Sequence, residues 1–184
     1  LGCATFCGRS YKVTPDVLIP RPETEELVAW GIEKMHGLSG YASSVSDKKS
    51  SASKQLCVLD AGTGSGCIAI SLKLALDEAN VTAWDISDAA LEVARENAQQ
   101  LGARVHFEHH DMLQMPSVND VSQYHLIVSN PPYICQSEAM EMEHRVLDFE
   151  PHCALFVPDD DPLRFYRVLC RLAQRLLLPG GWLL

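Results

Sequence analysis

Asn130-Pro131-Pro132-Tyr133 is the segment whose residue types and order could do the most chemistry. An amide nitrogen is a feeble nucleophile, because its lone pair is delocalised into the neighbouring carbonyl. Asn130 offers a side-chain carbonyl as acceptor, and Pro131 a backbone carbonyl aimed by a locked φ angle. Two acceptors on one NH₂ group would hold both hydrogens and point the nitrogen at a methyl donor, with Tyr133 flat against the amide plane. Such catalysis is mostly positioning plus electrostatics, so no strong general base is required before transfer and none is obvious. Two prolines could equally make only a rigid turn. Placement directly after Leu126-Ile127-Val128-Ser129, which reads as a strand, argues for a site instead. Asn130, Pro131 and Tyr133 are the candidate catalytic residues, and with Pro132 they form the candidate substrate clamp.

Three further constellations could hold a cofactor. Asp60-Ala61-Gly62-Thr63-Gly64-Ser65-Gly66 follows a strand and opens a helix, and its glycines let a ligand approach backbone without Cβ contacts. Its spacing is GxGxG, whereas a dinucleotide pyrophosphate fingerprint reads GxGxxG. That departure favours S-adenosylmethionine over NAD. Asp85 ends the next strand, where a carboxylate can accept both hydroxyls of a ribose. It could instead cap the following helix, although Ser87 already supplies a cap. Asp111-Met112 follows the third strand and could frame an adenine, the carboxylate on its exocyclic amine and methionine as a soft wall. His109 and His110 read as solvated loop residues.

The elements that must position these groups follow from periodicity. Residues 1–20 read as short β structure and entry to the domain, and Pro22 suits the first turn of a helix carrying Leu27, Trp30, Gly31 and Met35. Residues 37–55, rich in Ser, Gly and Lys, read as a mobile surface loop. From residue 56 strands (56–60, 81–85, 105–108, 125–129) alternate with helices, and Asp161-Pro162 starts a helix with Phe165, Leu169, Leu172 and Leu176 inward. Pro179-Gly180-Gly181 is expected to end that helix and turn into a fifth strand at Trp182. This alternation implies an α/β domain over 21–184, a mostly parallel twisted sheet with helices on both faces. Ligands then bind at the carboxyl ends of the strands, where every motif above falls. The ends of the sequence read as those of a fragment, truncated at its C-terminal end.

Composition narrows the partners. At 184 residues and a net charge of −9, the chain lacks the overall basicity of a phosphate-gripping protein, so no direct nucleic-acid partner is expected. The seven cysteines form no CxxC and no zinc spacing with histidines, which points to reduced thiols, no metal and a cytoplasmic location. No signal peptide or membrane-length apolar run is visible.

Asn-Pro-Pro-Tyr with the glycine loop resembles the class I amino-methyltransferases. Leu18-Ile19-Pro20-Arg21-Pro22-Glu23-Thr24-Glu25 looks like a signature of the HemK-type release-factor glutamine methyltransferases, and Phe149-Glu150-Pro151 followed by Ala154-Leu155-Phe156 is also similar to that family. The resemblance spans nearly the whole chain outside 37–55. It implies a Rossmann-like class I methyltransferase fold with strand order 3-2-1-4-5-7-6, whose helical N-terminal domain and final β-hairpin are missing here. It also implies transfer of a methyl group from S-adenosylmethionine to the amide nitrogen (N5) of the glutamine in the Gly-Gly-Gln loop of class I peptide-chain release factors, leaving S-adenosylhomocysteine. Cofactor contacts carry over to Gly62, Thr63, Gly64, Ser65, Gly66, Asp85, Met112 and Asn130, and glutamine contacts to Asn130, Pro131, Pro132 and Tyr133. A monomer without membrane attachment is expected. Arg21 and Glu150 either pair across the fold or shape the substrate entrance. Glu138, Glu141 and Glu143 read as a solvated face. A DNA adenine-N6 methyltransferase shares the Asn-Pro-Pro-Tyr logic but would need a basic cleft. A non-catalytic S-adenosylmethionine-binding scaffold would have no need of an amide clamp.

Overall fold

The computed structural model describes residues 2–45, 55–116, 123–141 and 150–184. Strands β1 (Cys3–Phe6) and β2 (Arg9–Lys12) form an antiparallel hairpin. A 3-10 turn over Pro22–Thr24 leads into α1 (Glu25–Val45), with Pro22 in the first turn, where its missing N–H costs nothing. Then follow β3 (Cys57–Ala61), α2 (Cys67–Ala75), β4 (Asn80–Asp85), α3 (Asp88–Leu101), β5 (His106–His109) and β6 (Tyr124–Val128). After the short β7 (Ile134–Cys135) come α4 (His152–Leu155), β8 (Phe156–Val157), α5 (Arg164–Leu176) and β9 (Leu177–Leu183).

The central sheet has the order β5-β4-β3-β6-β9 with all neighbours parallel. Its winding reverses between β3 and β6, the switch point that opens a crevice at the carboxyl ends of both strands. Val58, Val81, Ala83, Leu126 and Val128 share one core with α1, α2 and the hairpin. Leu59, Ala61, Trp84 and Ile127 meet Leu169, Leu172 and Leu176 of α5 in the other. Burial on both faces is why these strands are apolar runs rather than alternating ones. Tyr11, fully buried, sets its hydroxyl 2.9 Å from Ser71 Oγ and fixes the hairpin on α2.

Three sequence expectations shift. Helix α1 continues to Val45, past Gly37 where a loop was expected; each residue added to an established helix gains a hydrogen bond, which outweighs weak propensity. Residues 46–54 of that expected loop lie outside the described residues. Trp30 is half-exposed, and α1 approaches the sheet through Gly31, where an added Cβ would sit 3.1 Å from Leu72 and 3.2 Å from Leu126. Finally, β9 begins at Leu177 rather than Trp182. Tyr124 pairs with Leu177 and Leu126 with Trp182, so Pro179-Gly180-Gly181 is a bulge inside the strand, with Gly180 at φ +82°. A bulge accommodates proline because its ladder hydrogen bond is already interrupted.

Candidate active site

One cleft, enclosing about 230 Å³, runs across the carboxyl ends of β3, β4 and β6. The glycine loop after β3 forms its floor and is held from every side. Asp60, wholly buried, accepts hydrogen bonds from Thr63 Oγ1 (2.7 Å) and the Ala69 amide (3.1 Å). Burial pushes its carboxyl up to about 7, against the opposing pull of those two bonds, and nearby Asp85 adds to the rise. The Gly62 and Thr63 amides each donate to Trp84 O at 2.9 Å. Ser129 Oγ donates to Ala61 O at 2.6 Å, tying the loop to the end of β6. Gly62 has φ +79°, and a Cβ there would lie 2.8 Å from Met112 Cε. The left-handed φ is what calls for glycine, since the Met112 tip could swing aside.

Asp85 lines the cleft with its carboxylate shared between two loops. Oδ2 accepts from the Gly64 amide (2.8 Å) and Oδ1 from the Ser87 amide (3.0 Å). Ser87 Oγ accepts from the Ala90 amide at 3.2 Å, so serine is the helix cap and Asp85 is left as a fixed acceptor beside the glycines. Ile86, exposed at the next position, adds an apolar wall. Opposite it, Asp111 Oδ1 accepts from the Leu113 amide (2.9 Å), and buried Met112 reaches under Gly62. His109 is exposed, its Nε2 2.7 Å from Ile86 O. His110 differs from expectation: it packs on Trp84 with ring centroids 4.2 Å apart and lines the cleft.

Asn130, Pro131 and Pro132 close the cleft's far end. Asn130 Nδ2 lies 3.5 Å from Thr24 Oγ1, and among the described residues its carbonyl accepts from none. Tyr133 stands at the mouth, 60% exposed, in an adjoining pocket shared with Thr24, Leu27 and Ile134. Arg21 Nη2 meets Glu150 Oε1 at 2.6 Å, and Glu150 Oε2 accepts from the Ile19 amide at 3.1 Å. The pair does cross the fold, and Arg21 and Pro151 also line the cleft, so both sequence readings meet in one feature. Glu138 is exposed and accepts from the Cys135 amide at 3.0 Å. Glu143, Phe149 and the side chain of Glu141 lie outside the described residues.

Sequence reasoning missed Thr24, Leu18, Ile86 and the part of Phe165 that faces the cleft. It also gave Asp60 no role, although a carboxylate in an otherwise apolar strand was a legible signal. All seven cysteines are free, and burial pushes the Cys67 thiol up to about 12. Among the described residues no group of His, Cys, Asp and Glu could hold a metal ion, and no helix is long and apolar enough to cross a membrane.

Comparison with known proteins places this arrangement. Residues 45–149 match the model of the methyltransferase small domain. A release factor glutamine methyltransferase of Bacteroides thetaiotaomicron is 50% identical over 180 residues, covering 98% of this chain and 58% of the relative. The protein of the same name from Flavobacterium psychrophilum is 44% identical, covering 100% of this chain and 59% of its own. The chain thus spans about three-fifths of the length of these curated relatives. Among solved structures, an S-adenosylmethionine-dependent methyltransferase from Agrobacterium tumefaciens superposes with a TM-score of 0.59 at 19% identity, over 98% of this chain and 50% of that one. At that identity the likeness speaks for the fold, a Rossmann-like sheet of the class I methyltransferase kind.

Proposed function

This chain belongs to the methyltransferase small domain family, and from that premise we propose that it is the catalytic domain of a release-factor glutamine N5-methyltransferase. Residues 21–184 are assigned to the cofactor-binding domain and residues 1–20 to its entry. The observation that carries the reading is the convergence of the glycine loop, Asp85, Met112 and Asn130-Pro131-Pro132 on one cleft. The names borne by the relatives support the substrate.

The cleft fits S-adenosylmethionine by its own features. Gly62 leaves a cradle that a Cβ would fill, Asp85 holds a fixed carboxylate where a ribose would lie, and Ile86 and Met112 both line the cleft as apolar surface for an adenine. When bound, the cofactor supplies a methyl group on a sulfonium, an activated leaving group. The remaining work falls to the chain. Asn130 Oδ1 and the Pro131 carbonyl accept the two hydrogens of the glutamine amide and orient its nitrogen. As the N–C bond forms, positive charge develops on that nitrogen, and the same two oxygens stabilise it. A proton then leaves the nitrogen for water at the open mouth beside Tyr133. Class I release factors are the proposed partners, with no direct nucleic-acid or membrane partner, and the protein acts as a cytoplasmic monomer.

The test is methyl transfer by the full-length protein to a class I release factor, followed by mass spectrometry of the Gly-Gly-Gln peptide. Asn130→Ala should lower kcat by about 10²-fold or more, the scale of losing a positioned transition-state acceptor. Methylation of a DNA adenine, with the glutamine left untouched, would replace this reading.

A further inference from the structure

Asn130 belongs to the proposed mechanism; what holds it does not. A carboxamide is nearly symmetric in shape, and rotating it by half a turn exchanges its acceptor for its donor. An Asn130 with its NH₂ toward the cleft would repel the hydrogens of a glutamine amide and attract a carboxylate. The orientation of this one side chain therefore sets whether the site offers glutamine a second acceptor beside the fixed Pro131 carbonyl.

Thr24 stands at that point. It closes the 3-10 turn Pro22–Thr24, is 8% exposed, and lines both the cleft and the adjoining pocket. Its Oγ1 faces Asn130 Nδ2 at 3.5 Å across 106 positions of sequence. Nothing about this turn is loose. The Thr24 amide donates to Arg21 O (3.0 Å), Arg21 is ion-paired to buried Glu150, and Glu150 also takes the Ile19 amide. The hydroxyl is delivered to Asn130 by a segment anchored at Ile19 and Arg21, just before it.

We propose that Thr24 is a positioning and specificity residue: its hydroxyl holds the Asn130 amide with the carbonyl presented to substrate, and thereby selects a carboxamide over a carboxylate. This rests on the functional reading above. Thr24 is assigned to act through Asn130, the side chain its hydroxyl faces.

The experiment uses the full-length protein in three forms, wild type, Thr24→Val and Thr24→Ser. Valine keeps the shape and removes the hydroxyl, while serine keeps the hydroxyl. Three quantities are read: kcat on a class I release factor, the dissociation constant of S-adenosylhomocysteine, and the relative affinity for release factors carrying Gly-Gly-Gln or Gly-Gly-Glu. Thr24→Val should lower kcat and narrow the glutamine-over-glutamate preference, each by about tenfold, the worth of one hydrogen bond. Cofactor affinity should stay within about twofold of wild type, and Thr24→Ser should recover most of both losses. A Thr24→Val protein with unchanged preference overturns the proposal. So does equal damage in the valine and serine forms, which would assign Thr24 to packing alone. A wild-type protein that leaves the glutamine unmethylated defeats the functional reading itself, a result separable from both because it needs no variant. The side-chain ¹⁵N–¹H₂ signal of Asn130, assigned by its loss in Asn130→Ala, checks the orientation without substrate. It should shift and exchange faster with water in Thr24→Val, and no change there counts against the proposal.

Discussion

At Asp60, burial opposes charge directly beneath the glycine loop. Its carboxyl sits at about 7 in the fold, raised from 3.8 chiefly by desolvation. Between those two values the folded protein binds the proton more tightly than the unfolded chain does, so the proton stabilises the fold. That contribution is complete below the ordinary carboxylate value and is lost as pH rises through about 7. Asp60→Asn keeps an acceptor for Thr63 and Ala69 yet cannot ionise. The difference in melting temperature, wild type minus Asp60→Asn, should therefore fall by several degrees between pH 5 and pH 8, as 1 kcal/mol moves Tm by roughly 2–4 °C at this size. A difference that is flat across that range would show that Asp60 stays ionised. Legibility at this scale split by what a residue's role depends on. That Gly62, Asp85 and Asn130 meet in one cleft was readable because each follows a strand of the parallel sheet. Thr24 and His110 were not, since the partner that defines each is met only in the folded chain, Asn130 for one and Trp84 for the other.

Among the elements, α3 does more than cover the sheet. Asn97, wholly buried, accepts from the Lys12 amide (2.7 Å) and donates to Lys12 O (3.0 Å) and to Ser65 O (2.9 Å). One side chain thus joins the hairpin, the helix and the glycine loop. Asn97→Ala would take this partner from the buried Ser65 carbonyl and from the part-buried Lys12 amide and carbonyl, and unsatisfied groups cost about 1–3 kcal/mol each. We expect a loss of roughly 3 kcal/mol by urea denaturation, together with weaker S-adenosylhomocysteine binding by calorimetry, because Ser65 would lose its anchor. A stability loss with affinity intact would confine Asn97 to the hairpin. The strands and α2 were readable from apolar runs closed by turn residues, and α3 from its period and the Ser87 cap. The ends of α1 and β9 were not. Gly37 and Pro179-Gly180-Gly181 carry breaker chemistry, yet an established helix and a bulge absorb them.

Across the whole molecule, Arg21 and Glu150 join segments 129 positions apart, fastening the entry turn to the start of α4. Glu150's side chain is 2% exposed and Arg21's 37%, so solvent screens only one end of the pair. Arg21→Met should cost roughly 2–4 kcal/mol, because it leaves a buried carboxylate with the Ile19 amide alone. Adding Glu150→Gln to that variant should return part of the loss, as measured in a thermal double-mutant cycle. A double variant less stable than Arg21→Met would mean that the Glu150 side chain stabilises the fold through partners other than Arg21. The overall architecture was legible because alternating strands and helices leave few topologies, and the five-strand order observed matches the 3-2-1-4-5 part of the order the resemblance implied. One further feature bears on how the protein can be handled. Every cleft residue after a sheet strand sits at a carboxyl end, whereas Gly102, exposed at the end of α3 with φ +70°, precedes β5 at the opposite rim. A biotin carried on a residue placed at exposed Arg104, in the same loop, would leave the mouth beside Tyr133 pointing away from the support. An immobilised enzyme oriented this way could still receive a partner as bulky as a folded protein, which random coupling through surface lysines would not guarantee.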